Sequence, residues 1–134
     1  MSDYQITNSI AGVQNIADTS TTQNHPLGLI VQAVDRASTA YGAGEFVYLS
    51  GIASTVVGSF VTYNADDNST ALLAANAIGP VATAMSINVA SSYGWYQISG
   101  KAVGKAKASY ADNGLVYATS TAGSIDDAVV AGDR

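Results

Sequence analysis

The chain has 134 residues, ten acidic against five basic side chains and a single histidine, for a net charge of −5. That length suits one domain with an arm to spare, and 48% hydrophobic against 11% charged residues excludes disorder driven by charge. So few cations disfavour nucleic-acid and anionic-membrane partners, which need a basic surface. No apolar stretch approaches the roughly 20 residues of a membrane-crossing helix. The absence of cysteine removes disulfides, thiolate metal sites and thiol nucleophiles.

Residues 1–26 read as an N-terminal arm. Ile6, Ile10, Val13 and Ile16 stand in a background of Asn, Gln, Ser and Thr, and Asp18 to Asn24 is polar. The 6, 10, 13 spacing would align three apolar side chains on a short helix. Gly12 and the mediocre helix formers around it favour an extended or partly helical arm. Met1-Ser2-Asp3-Tyr4-Gln5 lacks the basic and apolar regions of a secretory signal. Pro26 biases His25 toward extended geometry, so the arm is expected to enter the domain, residues 27–134, as a strand.

From Leu27 onward the pattern is β. Strands are expected over Leu27–Val34, Glu45–Leu49, Val56–Asn64, Val81–Met85, Tyr93–Ser99, Lys101–Tyr110 and Leu115–Ala118. Asn113-Gly114 signals a hairpin between the last two, because a type I′ turn needs positive φ at both central residues. Thr70–Ala77 alone looks locally helical, for about two turns. Ala128-Val129-Val130-Ala131 reads as the start of a strand and Gly132-Asp133 as a turn, which suggests either a free tail or a longer natural polypeptide. The whole predicts an all-β fold, a small barrel or sandwich of about seven or eight short antiparallel strands with an extended N-terminal arm.

Catalytic chemistry is hard to assemble from these residues. His25, with Asp18 and Ser20 near in sequence, lies in a polar arm, and a histidine before a turn proline is more simply packed or solvated. The carboxylates of Asp66-Asp67, Asp112, Asp126-Asp127 and Asp133 fall in turns, where aspartate caps backbone N–H groups. Asn64-Ala65-Asp66-Asp67-Asn68-Ser69 resembles the opening of a calcium loop, but Ser69 replaces the required Gly and Ala75 the bidentate Glu. No metal, cofactor or catalytic residue is therefore expected. Asn68-Ser69-Thr70 is a glycosylation sequon, meaningful only in a secretory pathway.

Two clusters suggest partner contacts. Lys101, Lys105 and Lys107 are odd-numbered on one expected strand, either as a solvated face guarding an edge or as a basic stripe toward an acidic neighbour. In Tyr93-Gly94-Trp95-Tyr96-Gln97-Ile98-Ser99, Tyr93, Trp95 and Gln97 share one face, Tyr96 and Ile98 the other. One aromatic face is expected in the core, leaving Trp95 or Tyr96 as an interface anchor.

Four stretches in order resemble tailed-phage capsid decoration, or cement, proteins. They are Thr22-Gln23-Asn24-His25-Pro26-Leu27-Gly28, Glu45-Phe46-Val47-Tyr48-Leu49-Ser50-Gly51-Ile52-Ala53-Ser54, Gly58-Ser59-Phe60-Val61-Thr62-Tyr63-Asn64 and Tyr93-Gly94-Trp95-Tyr96-Gln97-Ile98-Ser99-Gly100. The likeness spans about residues 22–133 and is compositional and strand-like. It implies a non-enzymatic homo-oligomer, a trimer by preference, on the outer face of the virion head, bound to the major capsid protein. A flexible arm could add a strand to a partner's sheet, with Tyr4, Ile6, Ile10, Val13 and Ile16 as its anchors. The alternative is a tail or receptor-binding β module, in which loops such as 64–70 contact a host glycan.

Overall fold

The computed structural model describes residues 4–7, 13–37, 41–111 and 115–127. The fold is all-β, with no helix among the described residues. Ten strands run in chain order: β1 Tyr4–Ile6, β2 Thr19–Ser20, β3 Ile30–Asp35, β4 Ala43–Ser50, β5 Phe60–Tyr63, β6 Thr70–Leu72, β7 Val81–Ala84, β8 Tyr93–Ser99, β9 Tyr117–Ala118 and β10 Ile125–Asp126. Eight of them form one antiparallel sheet in the order β1-β3-β4-β8-β7-β5-β6, with β2 also paired to β8; β9 and β10 form a separate pair. The large sheet is not closed into a barrel.

The centre of the sheet lies where the apolar run is continuous. Phe46-Val47-Tyr48-Leu49 on β4 is buried at every position, as are Trp95 and Tyr96 on the adjoining β8. A strand that reads apolar at successive positions needs cover on both faces. Phe46, Tyr48 and Trp95 join Tyr4, Ile16, Val31 and Ala33 in one cluster. Val47, Leu49 and Tyr96 join Val61, Ala82 and Ala84 in another on the opposite face. Alternating β4 side chains thus serve two cores.

Loops close one end of the sheet at backbone distance. A Cβ on Gly51 would stand 2.2 Å from the carbonyl oxygens of Asn88 and Val89, so only glycine lets the loops meet there. Gly51 N–H reaches Ser92 C=O and Ile52 N–H reaches Asn88 C=O.

Three sequence expectations are corrected. Thr70–Ala77 is not helical: Thr70–Leu72 pairs with β5, the Thr70 hydroxyl donates to Ser50 C=O at 2.8 Å, and Asn76 adopts a positive φ of 63°. Two turns of alanine-rich sequence cannot outweigh helix nucleation when a sheet edge offers partners. Lys101–Tyr110 forms no strand, only a parallel bridge of Ala106 with Ile125, because its alternate residues are Ala and Gly and bury little apolar area. β9 consequently pairs with Ile125–Asp126 instead, while Asn113-Gly114 and residues 128–134 lie outside the described residues.

Candidate interaction surface

The residues expected to anchor the arm elsewhere are folded onto the chain's own sheet. Tyr4, on edge strand β1, and Ile16 are buried in the first core cluster, with Ile6 and Val13 half-buried against it. Ile10 lies outside the described residues. Gln14 fastens this segment. Its carbonyl accepts the Trp95 indole N–H at 3.0 Å, and its side-chain oxygen accepts from the Tyr48 hydroxyl at 3.2 Å and the Asn24 amide at 2.8 Å. Its amide nitrogen donates to Asp18 C=O and Tyr93 C=O. A buried indole N–H needs an acceptor, and that need is the one signal in the sequence that could have pointed to a polar residue such as Gln14.

His25 belongs to the same arrangement. Its Nε2 accepts the Gln14 backbone N–H at 3.0 Å, and its ring meets Tyr48 edge-on at 5.1 Å. Asp18 takes up the Asn15 amide and the Ser20 hydroxyl accepts Thr22 N–H. Ser20, His25 and Asp18 are therefore turned to separate structural bonds.

Trp95 and Tyr96 are both fully buried, so neither aromatic face of β8 is an exposed anchor. The strand is central, and each face meets a core. Burial pushes the Tyr96 phenol above its ordinary value of 10.0, against the lowering influence of hydrogen bonds with Asn88, Thr70 and Thr55. Asn88, itself fully buried, donates to the Tyr96 oxygen at 3.2 Å and to Leu49 C=O at 3.4 Å.

The lysines separate by role. Lys107 pairs with Asp126 at 3.0 Å. Lys101 and Lys105 make no ion pair among the described residues, and the Lys101 ammonium stands 6.0 Å from the centre of the Tyr41 ring. Lys105 is held by its backbone, N–H to Gly58 C=O and C=O to Ile125 N–H. This places residues 103–105 beside the loop that carries Val56 and Val57, and the Phe60 ring fills the space above Gly104.

A cavity of about 440 Å³ opens here, lined by Tyr4, Asn15, Ile16, Ala17, Asp18, Tyr41, Val57, Ala84, Met85 and Val103. Val57 and Val103 are about half exposed at its rim. A second, shallower depression of about 390 Å³ lies at the far end of β5, between Tyr63, the 64–70 loop and Ile78-Gly79-Pro80.

The 64–70 loop is braced by bonds within it and by two to Ser50, whose hydroxyl donates to Asn68 C=O and whose carbonyl accepts the Thr70 hydroxyl. The Asn64 side chain accepts Asp66 N–H, and one Asp67 carboxylate oxygen accepts both Ser69 N–H and its hydroxyl. Those bonds, the Ser69 hydroxyl foremost, hold the Asp67 carboxyl below its ordinary value of 3.8. Within the sequon Asn68 is half-buried with its side chain against Gly28, Ser69 is exposed and Thr70 is buried. Asp127 accepts Ala111 N–H from 16 residues away, and Asp126, on β10, accepts Asp127 N–H, so neither carboxylate simply caps a turn as expected.

Comparisons with protein-family models, with curated proteins and with solved structures return no match.

Proposed function

We propose that this chain is a virion structural protein of the capsid-decoration type, which binds the outer face of an icosahedral head and stabilises it by bridging major capsid protein subunits. It works by binding and transforms no substrate. The observation that carries this reading is the character of the surface. Ten large aliphatic side chains stand exposed among the described residues, including Ile30, Ile78, Ile87, Val103, Leu115 and Val116, on a chain with few charges. The polar groups that could support catalysis are meanwhile bonded within the fold. Dispersed apolar side chains, most of them on loops around the sheet, suit a weak contact repeated at many lattice sites, where avidity multiplies small interfaces. A ligand that binds the assembled shell but not free subunits shifts assembly toward the shell.

Ile87 and Val89 extend from a loop braced against Gly51. The test is sedimentation of the purified chain with intact heads and, separately, with tails. Binding to heads that saturates and falls about tenfold in Ile87→Asp/Val89→Asp is expected, two exposed apolar contacts being worth at least that much. A chain that stays in the supernatant with heads overturns the reading. Truncating residues 1–20 is unsuitable for this purpose, since it removes Tyr4, Gln14 and Ile16 from the sheet they stabilise.

A second reading rests on the depression at Tyr63, Asn64, Ser69 and Pro80. An aromatic ring beside amide and hydroxyl groups suits a glycan, as a tail or receptor-binding module would require. Binding to tails and to immobilised host glycan, with none to heads, is its expected outcome.

A further inference from the structure

We propose that His25 is an acid-sensitive latch: a proton on its ring loosens residues 13–18 from the sheet and opens the cavity they line. The argument starts from which partner donates. Nε2 of His25 accepts the Gln14 backbone N–H at 3.0 Å. A backbone N–H only donates, so the ring nitrogen opposite it must offer a lone pair. An imidazolium has none. Both its nitrogens carry hydrogen, and turning the ring over presents a second N–H or a C–H. Histidine is also the side chain whose charge changes in mild acid.

The position of Gln14 makes one lost bond count. Its carbonyl accepts the Trp95 indole N–H, and its side-chain oxygen accepts the Tyr48 hydroxyl and the Asn24 amide. The His25 side of the contact is anchored independently. Gly28 N–H bonds to Tyr48 C=O at 2.7 Å, and Asn24 N–H to the Tyr48 hydroxyl at 3.3 Å. A charged ring therefore stays in place, and the displacement falls on residues 13–18, of which only Ile16 is buried. Asn15, Ile16, Ala17 and Asp18 line the cavity beside Met85, so their movement widens it.

Little around the ring compensates for a positive charge. Tyr48 on β4 meets it edge-on at 5.1 Å and Trp95 on β8 lies tilted at 5.7 Å, with Tyr93 stacked on Tyr48 at 6.5 Å. These rings attract a cation weakly, but that attraction leaves the Gln14 N–H facing another donor. On the N-terminal segment the charged group is Asp18, whose carboxylate accepts the Asn15 amide. Among the described residues no carboxylate pairs with the His25 ring. The latch does not depend on the shell reading, and sedimentation with heads neither supports nor sinks it.

NMR of the full chain tests it, because one histidine and one tryptophan each report through their own resonance. The His25 ring C–H shift is followed from about pH 8 to about pH 5. Beside it is measured the solvent protection of the Trp95 indole N–H, corrected for the intrinsic exchange rate at each pH. Protection is expected to fall about tenfold or more along the His25 titration curve, while the β4 amides stay protected. In His25→Gln, whose side-chain oxygen accepts at every pH in this range, indole protection should be independent of pH. Asp18→Asn should leave the transition in place. The proposal is overturned by indole protection that stays level while His25 titrates, or by a His25 ring that stays neutral throughout. A wild-type response in His25→Gln, a transition lost in Asp18→Asn, or β4 amides that open together with the indole overturn it equally.

Discussion

Residues 13–25 and residues 101–111 both lack regular structure over most of their length, yet the molecule holds them differently. The first segment inserts Ile16 into the core and supplies, through Gln14, acceptors for the Trp95 indole and the Tyr48 hydroxyl. The second is exposed from Lys101 to Ala106 and is attached mainly by backbone bonds to Gly58 and Ile125 and by the Lys107–Asp126 pair. Strand content is therefore a poor guide to how much a segment matters to stability. The difference lies in whether it buries a large side chain and satisfies donors that the core would otherwise strand.

The sharpest way to break the comparison is at the centre of the sheet. Trp95→Ala is expected to cost about 3–5 kcal/mol in urea unfolding, through a large cavity and loss of the bond to Gln14. Gln14→Ala should cost about 1–3 kcal/mol, because the Tyr48 hydroxyl loses its acceptor. It should also speed proteolysis within residues 13–25 well before global unfolding. If cleavage in that segment is unchanged, Gln14 is not what fastens it.

A third measurement uses alkali. The folded state holds the Tyr96 phenol protonated above its ordinary value of 10.0, so the unfolded chain loses that proton first. Stability should be unaffected by this group below about pH 10 and should fall as pH rises beyond it. In a tyrosinate absorbance titration Tyr96 should ionise only with unfolding, and early ionisation of every tyrosine would contradict its burial. The smallest effect belongs to the exposed segment. Lys107→Ala should cost no more than about 1 kcal/mol, as Lys107 is about one-third exposed. A larger loss by thermal unfolding would show that residues 101–111 contribute more than their exposure suggests.

The aromatic and β-branched runs were readable because each strand carries its own pattern. Phe46 to Leu49 and Tyr93 to Ser99 fall within strands close to the expected bounds. The Lys101–Tyr110 alternation misled for a related reason: alternation specifies a strand only when one face buries enough apolar area, and Ala and Gly bury little. The candidate surface was legible only in fragments. Lys101 and Lys105 stood out as a cationic cluster, but Val57, Met85 and Ile78 carry no local mark of exposure or concavity.

By itself, then, the order of residues determined an all-β protein with strands over Phe46-Val47-Tyr48-Leu49 and Trp95-Tyr96, since period-two alternation and β-branched composition are local properties. Only the tertiary structure decided that both faces of β8 are buried, that Gln14 and His25 tie the N-terminal segment to the sheet, and that Val103, between Lys101 and Lys105, lines a cavity. These depend on which strands become neighbours. Such pairings join residues as far apart as Gln14 and Trp95, a separation over which sequence pattern carries no signal.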